Sequence, residues 1–278
     1  MGVVEWFLGT HFSWRHSDTE TACHLNQTGF ASNLVERFDC HRRAITPDAT
    51  PYRSGLPIDS LAPADQDDCS PAQLRRLDAY RSLVGSIGWL SSNTRPDLAP
   101  VHSFLSSFNH CPSLGHMKAA LYALHYIHST HDHGISFTSR AKQPLHTYLH
   151  FPNRSDAEAY EDAEPPTPER GTKLSTYGDA CWGSQIGNAL PAGTPVEMFK
   201  FRSMSGAIVI RSSGPVSWKS ERQPRTSLSS CEAEVRATNL ACKLTVAMRN
   251  FSTGFTGVKL GDTEQTTNVY NDNEACVK

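Results

Sequence analysis

Glu232 and Glu234 stand two residues apart at the start of SLSSCEAEVRATNLAC, residues 227–242. Positions two apart on a helix point to different faces, so one glutamate can look across the domain while the other faces outward. Two further acids sit where strands should end: Asp179 follows STYG and Asp272 follows NVYN. A three-strand meander followed by a helix and a parallel strand would bring Asp179, Glu234 and Asp272 to one site on a sheet. Carboxylates at that distance raise one another's pKa unless a cation lies between them, and hard oxygen donors suit Mg²⁺. The chemistry that fits is two-metal hydrolysis of a phosphodiester, with the ions roughly 3.5–4 Å apart. Acids at strand ends also serve as turn residues, and helix N-termini favour glutamate through the macrodipole. Spacing alone leaves both readings open.

The elements that would position these acids occupy the last part of the chain. Residues 174–182, 205–210 and 216–219 read as three strands, with Ser213-Gly214-Pro215 as the turn between the last two. Residues 229–250 read as a helix and 267–271 as a fourth strand, an α/β layer on a mixed sheet. Ahead of them, 153–170 (NRSDAEAYEDAEPPTPER) is acidic, contains proline and is poor in apolar residues, as a surface linker is. The first part is helical in pattern. Residues 29–38, 77–90, 98–108 and 116–128 carry apolar residues at helical spacing, with a Pro- and Asp-rich loop at 46–71 and a break at Thr94-Arg95-Pro96-Asp97. Residues 3–14, rich in β-branched and aromatic types, read as a strand. The expectation for this half is a small helical bundle.

Composition narrows the classes. With 278 residues and a formal net charge of -2, the chain has no bulk attraction to nucleic acid, so any phosphate contact must come from local basic clusters. Lys219, Arg222 and Arg225 form such a cluster before the glutamate helix; it reads either as a solvated turn or as a phosphate contact. The 8 cysteines show no C-x-x-C pair, which argues against a zinc module or disulfide framework and for reduced intracellular thiols. No apolar run reaches the roughly 18–20 residues that span a bilayer, and MGVVEWFLG is not a secretory leader. No membrane partner is expected. His116, His125, His128, His131 and His133 crowd one segment without a completing acid or cysteine, and read as partly exposed helix and loop residues. The tryptophans Trp6, Trp14, Trp89, Trp182 and Trp218 read as core.

Five ordered blocks carry a resemblance. They are YRSLVGSIGWLSSNTRPDLAPVHSFLSSF (80–108), HMKAALYALHYIHSTHDHGISF (116–137), LSTYGDACWG (174–183), SMSGAIVIRSSGPVSWKSERQPRTSLSSCEAEVRA (203–237) and VYNDNEA (269–275). In order and spacing they resemble the C-terminal part of the polyprotein of copia-type long-terminal-repeat retrotransposons. The resemblance implies the end of a reverse transcriptase palm with its thumb or connection helices over 1–150. A linker at 151–172 and a ribonuclease H-like domain at 173–278, incomplete at its C-terminus, would follow. It places the Mg²⁺ ligands and catalytic acids on Asp179, Glu234 and Asp272, so Glu232 would be a neighbour on another face. It also favours phosphate contact by Lys219, Arg222 and Arg225.

The implied reaction is hydrolysis of the RNA strand of an RNA–DNA hybrid, recognised by shape and 2′-hydroxyls. The implied partners are that hybrid and the remainder of the polyprotein, in the cytoplasm within a virus-like particle or in the nucleus. Cys181 and Val235 stand where the family usually has Asp and Tyr. The polymerase aspartates belong before Met1 and a fourth carboxylate beyond Lys278; Asp67-Asp68, in a proline-rich loop, is not their substitute. The alternative is a truncated, catalytically inactive remnant that at most binds nucleic acid.

Overall fold

Residues 3–14 fold as a hairpin, where one strand was expected. Strand β1 (Trp6–Phe7) pairs antiparallel with β2 (Thr10–His16) through a turn at Leu8 and Gly9, both at positive φ (48° and 77°). A two-residue turn of that hand matches the right-handed twist of the flanking strands. The computed structural model describes residues 3–18, 20–39, 50–51, 70–139, 174–181, 202–211, 213–256 and 267–277. The expected linker at 153–170, Asp67-Asp68, Trp182 and most of the loop at 46–71 lie outside the described residues.

The first half is more than a helical bundle. Strands β3 (Thr21–Asn26) and β4 (Gly134–Thr138) join the hairpin in an antiparallel sheet of order β1-β2-β3-β4. Helix α1 (Thr28–Arg37) follows β3. Helix α2 (Pro71–Asn93) starts on a Ser70 cap, whose side chain accepts from the Gln73 N–H, and on proline at the first helical position. A 3₁₀ turn at Pro96–Leu98 leads to α3 (Ala99–Ser106), and α4 (Leu114–Ser129) packs against α2 and α3. The 3.6-residue stripe Leu83, Val84, Ile87, Leu90 is fully buried against Leu34, Leu105 and Leu124, making the larger core. Tyr80 is buried with them, and its hydroxyl donates to the Leu105 carbonyl at 2.7 Å.

Two expectations are overturned here. Trp6, Trp14 and Trp89 are exposed, because the hairpin stands clear of the core and Trp89 lies off the buried stripe of α2. Trp14 spends its indole N–H on the Val4 carbonyl. Among the histidines, His128, His131 and His133 are exposed as expected, whereas His116 and His125 are buried. His116 closes the start of α4: the Ser113 N–H donates to its Nδ1 at 2.9 Å while the Ser113 hydroxyl accepts from the His116 N–H. Its ring stacks on Phe108 at 3.9 Å.

Burial, then the nearby His110 charge, lowers the His116 pKa from 6.5 to about 4. The unfolded chain therefore takes up this proton first, and stability must fall as pH drops from 6.5 towards 4. His116→Gln keeps an acceptor at the same cap position without titrating. Its urea midpoint should change less between pH 7 and pH 5 than that of the parent; an unchanged pH dependence would remove His116 as a cause.

The second half builds the sheet that the meander pattern led us to expect. Strand β5 (Ser175–Cys181) pairs antiparallel with β6 (Met204–Arg211), β6 antiparallel with β7 (Gly214–Arg222), and β5 parallel with β8 (Asn268–Tyr270). The order is β7-β6-β5-β8. Helix α5 (Ser230–Thr256) lies on β5 and β6, and α6 (Glu274–Val277) follows β8. Ala207, Leu240 and Ala241 form a small core there. Gly178 makes the close approach possible, since a Cβ at that position would meet the Ala241 Cβ at 3.0 Å and the Ala237 carbonyl at 3.2 Å.

Strand β7 also faces the first half. Trp218 donates its indole N–H to the Ser91 carbonyl at 2.7 Å, and the Arg222 guanidinium lies 6.0 Å from the centre of the Phe104 ring. The Thr138 N–H donates to the Ser213 hydroxyl at 3.0 Å. A Cβ on Gly214 would fall 2.6 Å from the Ser136 carbonyl, so β4 and β7 touch at backbone distance. No helix among the described residues is long and apolar enough to cross a membrane.

Candidate metal centre

The first turn of α5 separates the two glutamates. Ser229 accepts from the Glu232 N–H through its hydroxyl, and the Glu232 carboxylate accepts from the Leu228 N–H at 2.8 Å. Its other oxygen accepts from Arg236, four residues on, at 2.7 Å. These bonds, the Leu228 N–H first, hold the Glu232 carboxyl below its ordinary pKa. Glu232 is a helix cap. Glu234, on another face, is 7% exposed and turned towards the sheet.

Glu234 meets two acids there. One oxygen each of Asp179, Glu234 and Asp272 lies within 4.8 Å of the others. Asp179 comes from the end of β5, Glu234 from α5 and Asp272 from the turn after β8, so three elements converge on one point. Asp179 and Asp272 are exposed, which leaves the cluster open to solvent on one side. Desolvation, then the charge of Asp272, raises the Asp179 pKa against the pull of the Ala180 N–H. Desolvation likewise raises Glu234, with the charges of Asp179 and Asp272 adding to it, while the Asn271 and Ala180 donors oppose. Among the described residues, no lysine, arginine or histidine forms an ion pair with any of the three.

Asn271 is the residue that sequence reasoning missed. Its amide NH₂ donates to Glu234 Oε2 at 2.9 Å and to the Gly178 carbonyl at 3.1 Å, and its carbonyl oxygen accepts from the Asn273 N–H at 2.8 Å. An asparagine at a strand end reads as a turn residue, and it is one here as well; only its place beside Asp272 hinted at more. Gln223, 2% exposed, acts similarly one layer away. Its side-chain NH₂ donates to Ser205 Oγ and to the Ala233 carbonyl, both at 2.9 Å, tying the start of α5 to β6.

The basic residues do not form one patch. Lys219 and Arg222 are three apart on β7 and so point to opposite faces. Lys219 pairs with Glu221, Arg222 lies over Phe104, and Arg225 is exposed in the loop beyond the strand.

Over 175 residues the chain is 31% identical to Secreted RxLR effector protein 161 of Plasmopara viticola, covering 61% of this chain and 94% of that one. The chain belongs to that protein's family. The chain is also similar to retrotransposon sequence: the Retrovirus-related Pol polyprotein from transposon RE2 of Arabidopsis thaliana is 29% identical over 214 residues, 77% of this chain. The corresponding polyprotein from transposon RE1 is 27% identical over 218 residues. The chain spans 11% of the length of each polyprotein. It is homologous to retrotransposon Pol polyprotein sequence. No family model matches the chain, and no solved structure does.

Proposed function

We propose that this member of the family is the end of a copia-type reverse transcriptase followed by a ribonuclease H-like domain, which hydrolyses the RNA strand of RNA–DNA hybrids. The division would fall at 1–150, 151–172 and 173–278. The observation that carries the reading is the convergence of Asp179, Glu234 and Asp272 from three elements, with oxygens within 4.8 Å. The similarity to Pol polyproteins supports it.

The donor set fits a hard divalent cation. It consists of carboxylate oxygens alone, two of the carboxyls resist ionisation, and no basic side chain among the described residues offsets them. Asp179, Glu234 and Asp272 would hold Mg²⁺, which when bound supplies an activated water and stabilises the leaving oxygen. The chain's own part is placement. Gln223 and Gly178 seat α5 on the sheet, and the exposed Asp179 and Asp272 leave room for a backbone phosphate. Arg225, exposed beyond β7, is free in space to meet the hybrid's phosphates.

The test uses the full chain and a hybrid with a labelled RNA strand. Cleavage with Mg²⁺ and none with EDTA is expected, with single-stranded RNA and duplex DNA left intact. Absence of Mg²⁺-dependent cleavage would overturn the nuclease and leave a catalytically inactive remnant that at most binds nucleic acid.

A further inference from the structure

One side chain touches all three segments that bear the acids. The Asn271 amide reaches Glu234 Oε2 on α5, the Gly178 carbonyl that precedes Asp179 on β5, and the Asn273 N–H just beyond Asp272. Its orientation follows from these partners. The reverse assignment would set the carbonyl oxygen against two acceptor oxygens and the NH₂ against an N–H donor. Asn271 is thus both a brace between β5 and α5 and the closing bond of the turn that presents Asp272.

The brace has a chemical consequence at Glu234. A carboxylate can bind a cation through one oxygen or through both. Mg²⁺ demands near-octahedral geometry and takes oxygens singly, whereas Ca²⁺ accepts more ligands and two-oxygen carboxylates. Oε2 is committed to the Asn271 donor at 2.9 Å, which draws its electron density away and leaves Oε1 as the better ligand. The Gly178 bond keeps the amide from swinging aside to release it.

We propose that Asn271 is a positioning residue that presents Glu234 as a one-oxygen ligand and so sets the site's preference for a small octahedral divalent cation over Ca²⁺. The proposal rests on the metal-binding reading above. Removing the donor frees Oε2, and a two-oxygen Glu234 suits the larger ion.

The probe is Tb³⁺ with the full chain. Tyr177 and Tyr270 stack 4.9 Å apart on the two strands that lead to Asp179 and Asp272, placing sensitising rings near the site. Bound Tb³⁺ is displaced with Mg²⁺ and, separately, with Ca²⁺, and the ratio of the two displacing concentrations is the readout. Asn271→Ala should shift that ratio towards Ca²⁺ by about tenfold, the scale for outer partners of metal ligands. Asn271→Asp, nearly the same shape and still able to accept from Asn273, should shift it in the same direction.

A purely structural Asn271 would lower the folded fraction of both variants while leaving the ratio of the folded protein unchanged. That result overturns the proposal, as does failure of both variants to fold by circular dichroism. Tb³⁺ that binds the parent and Glu234→Gln equally, or does not saturate the parent, overturns the metal reading itself and the proposal with it.

Discussion

Asp179→Asn is expected to abolish Mg²⁺-dependent hybrid cleavage while raising the melting temperature of the metal-free protein. Loss of activity should reach at least about 100-fold, since outer partners of a metal ligand alone cost 10–100-fold. The rise in stability follows from the carboxyl pKa values. Asp179 and Glu234 both ionise above their ordinary range in the fold, through desolvation and the acids beside them. The folded chain therefore holds protons that the unfolded chain has released, so stability falls as pH rises from the ordinary carboxyl range through the raised values. Above the raised values the metal-free parent carries the whole of that loss. An amide at position 179 removes one of the repelling charges and should recover part of it.

The two readouts must move in opposite directions, and a third separates ligand loss from general damage. Bound metal stabilises the parent by mass action, so the upward shift in melting temperature on adding Mn²⁺ should shrink in Asp179→Asn. Glu232→Gln is the contrast. It weakens the cap at Leu228 and the Arg236 pair, so it should lower stability and leave both cleavage and the Mn²⁺ shift in place. If Asp179→Asn cleaves like the parent, or melts lower than the parent in EDTA, the three acids are a surface cluster rather than a metal centre.

The contrast also shows what could be read from sequence. Most of the second half was legible because β5, β6 and β7 form a meander of chain neighbours and α5 carries its apolar residues at a long, regular helical spacing; the parallel pairing of β8 with β5, Ser175 against Asn268, is its one distant contact between strands among the described residues. Two of the three acids follow directly from strand ends. The choice between Glu232 and Glu234 did not, because it depends on partners. Glu232 is taken by Leu228 and Arg236, and Glu234 is held by an asparagine 37 positions away. In the first half, β3 and β4 escaped notice for a related reason. TACHLN and GISFT are short and weakly patterned; β3 has β2 as a near neighbour in the chain, but its other edge and the pairing of β4 depend on one another across about 112 residues, as the bond between His24 and Ser136 shows. Side-chain and cross-strand context, more than intrinsic preference, decides such segments. The placing of the basic residues was hidden by period: on a strand, the spacing from Lys219 to Arg222 divides the two between opposite faces.

Asp97→Ala should cost about 3–5 kcal/mol of stability, more than any substitution at the acid cluster and more than Arg95→Ala. Arg95 lies in the break between α2 and α3 with its side chain 3% exposed, facing Asp97 whose side chain is 35% exposed. Its Nε and Nη2 donate to both Asp97 oxygens, the shortest at 2.7 Å, and Nη1 and Nη2 donate to the carbonyl and hydroxyl of Thr130, each at 2.8 Å. The guanidinium also lies 5.5 Å from the centre of the Tyr126 ring, and the Tyr126 hydroxyl donates to Asp97 at 3.0 Å. Burial first, then Asp97, pushes the Tyr126 pKa up to about 12, so that hydroxyl keeps its proton across the working range.

Removing Asp97 strands a cation in the interior with only the dipoles of Thr130 and a ring face for company, together with an orphaned tyrosine hydroxyl. Removing Arg95 instead leaves a carboxylate that water can still reach, so its cost should be smaller by roughly 1–2 kcal/mol. Replacing both partners, as in Arg95→Met with Asp97→Leu, should return most of the loss, because an uncompensated charge is what makes the single changes costly. Urea unfolding of the three variants decides the matter through the order of their midpoints. An Arg95→Ala chain less stable than Asp97→Ala would mean that the Thr130 bonds, which pin the end of α4 to this break, outweigh the ion pair.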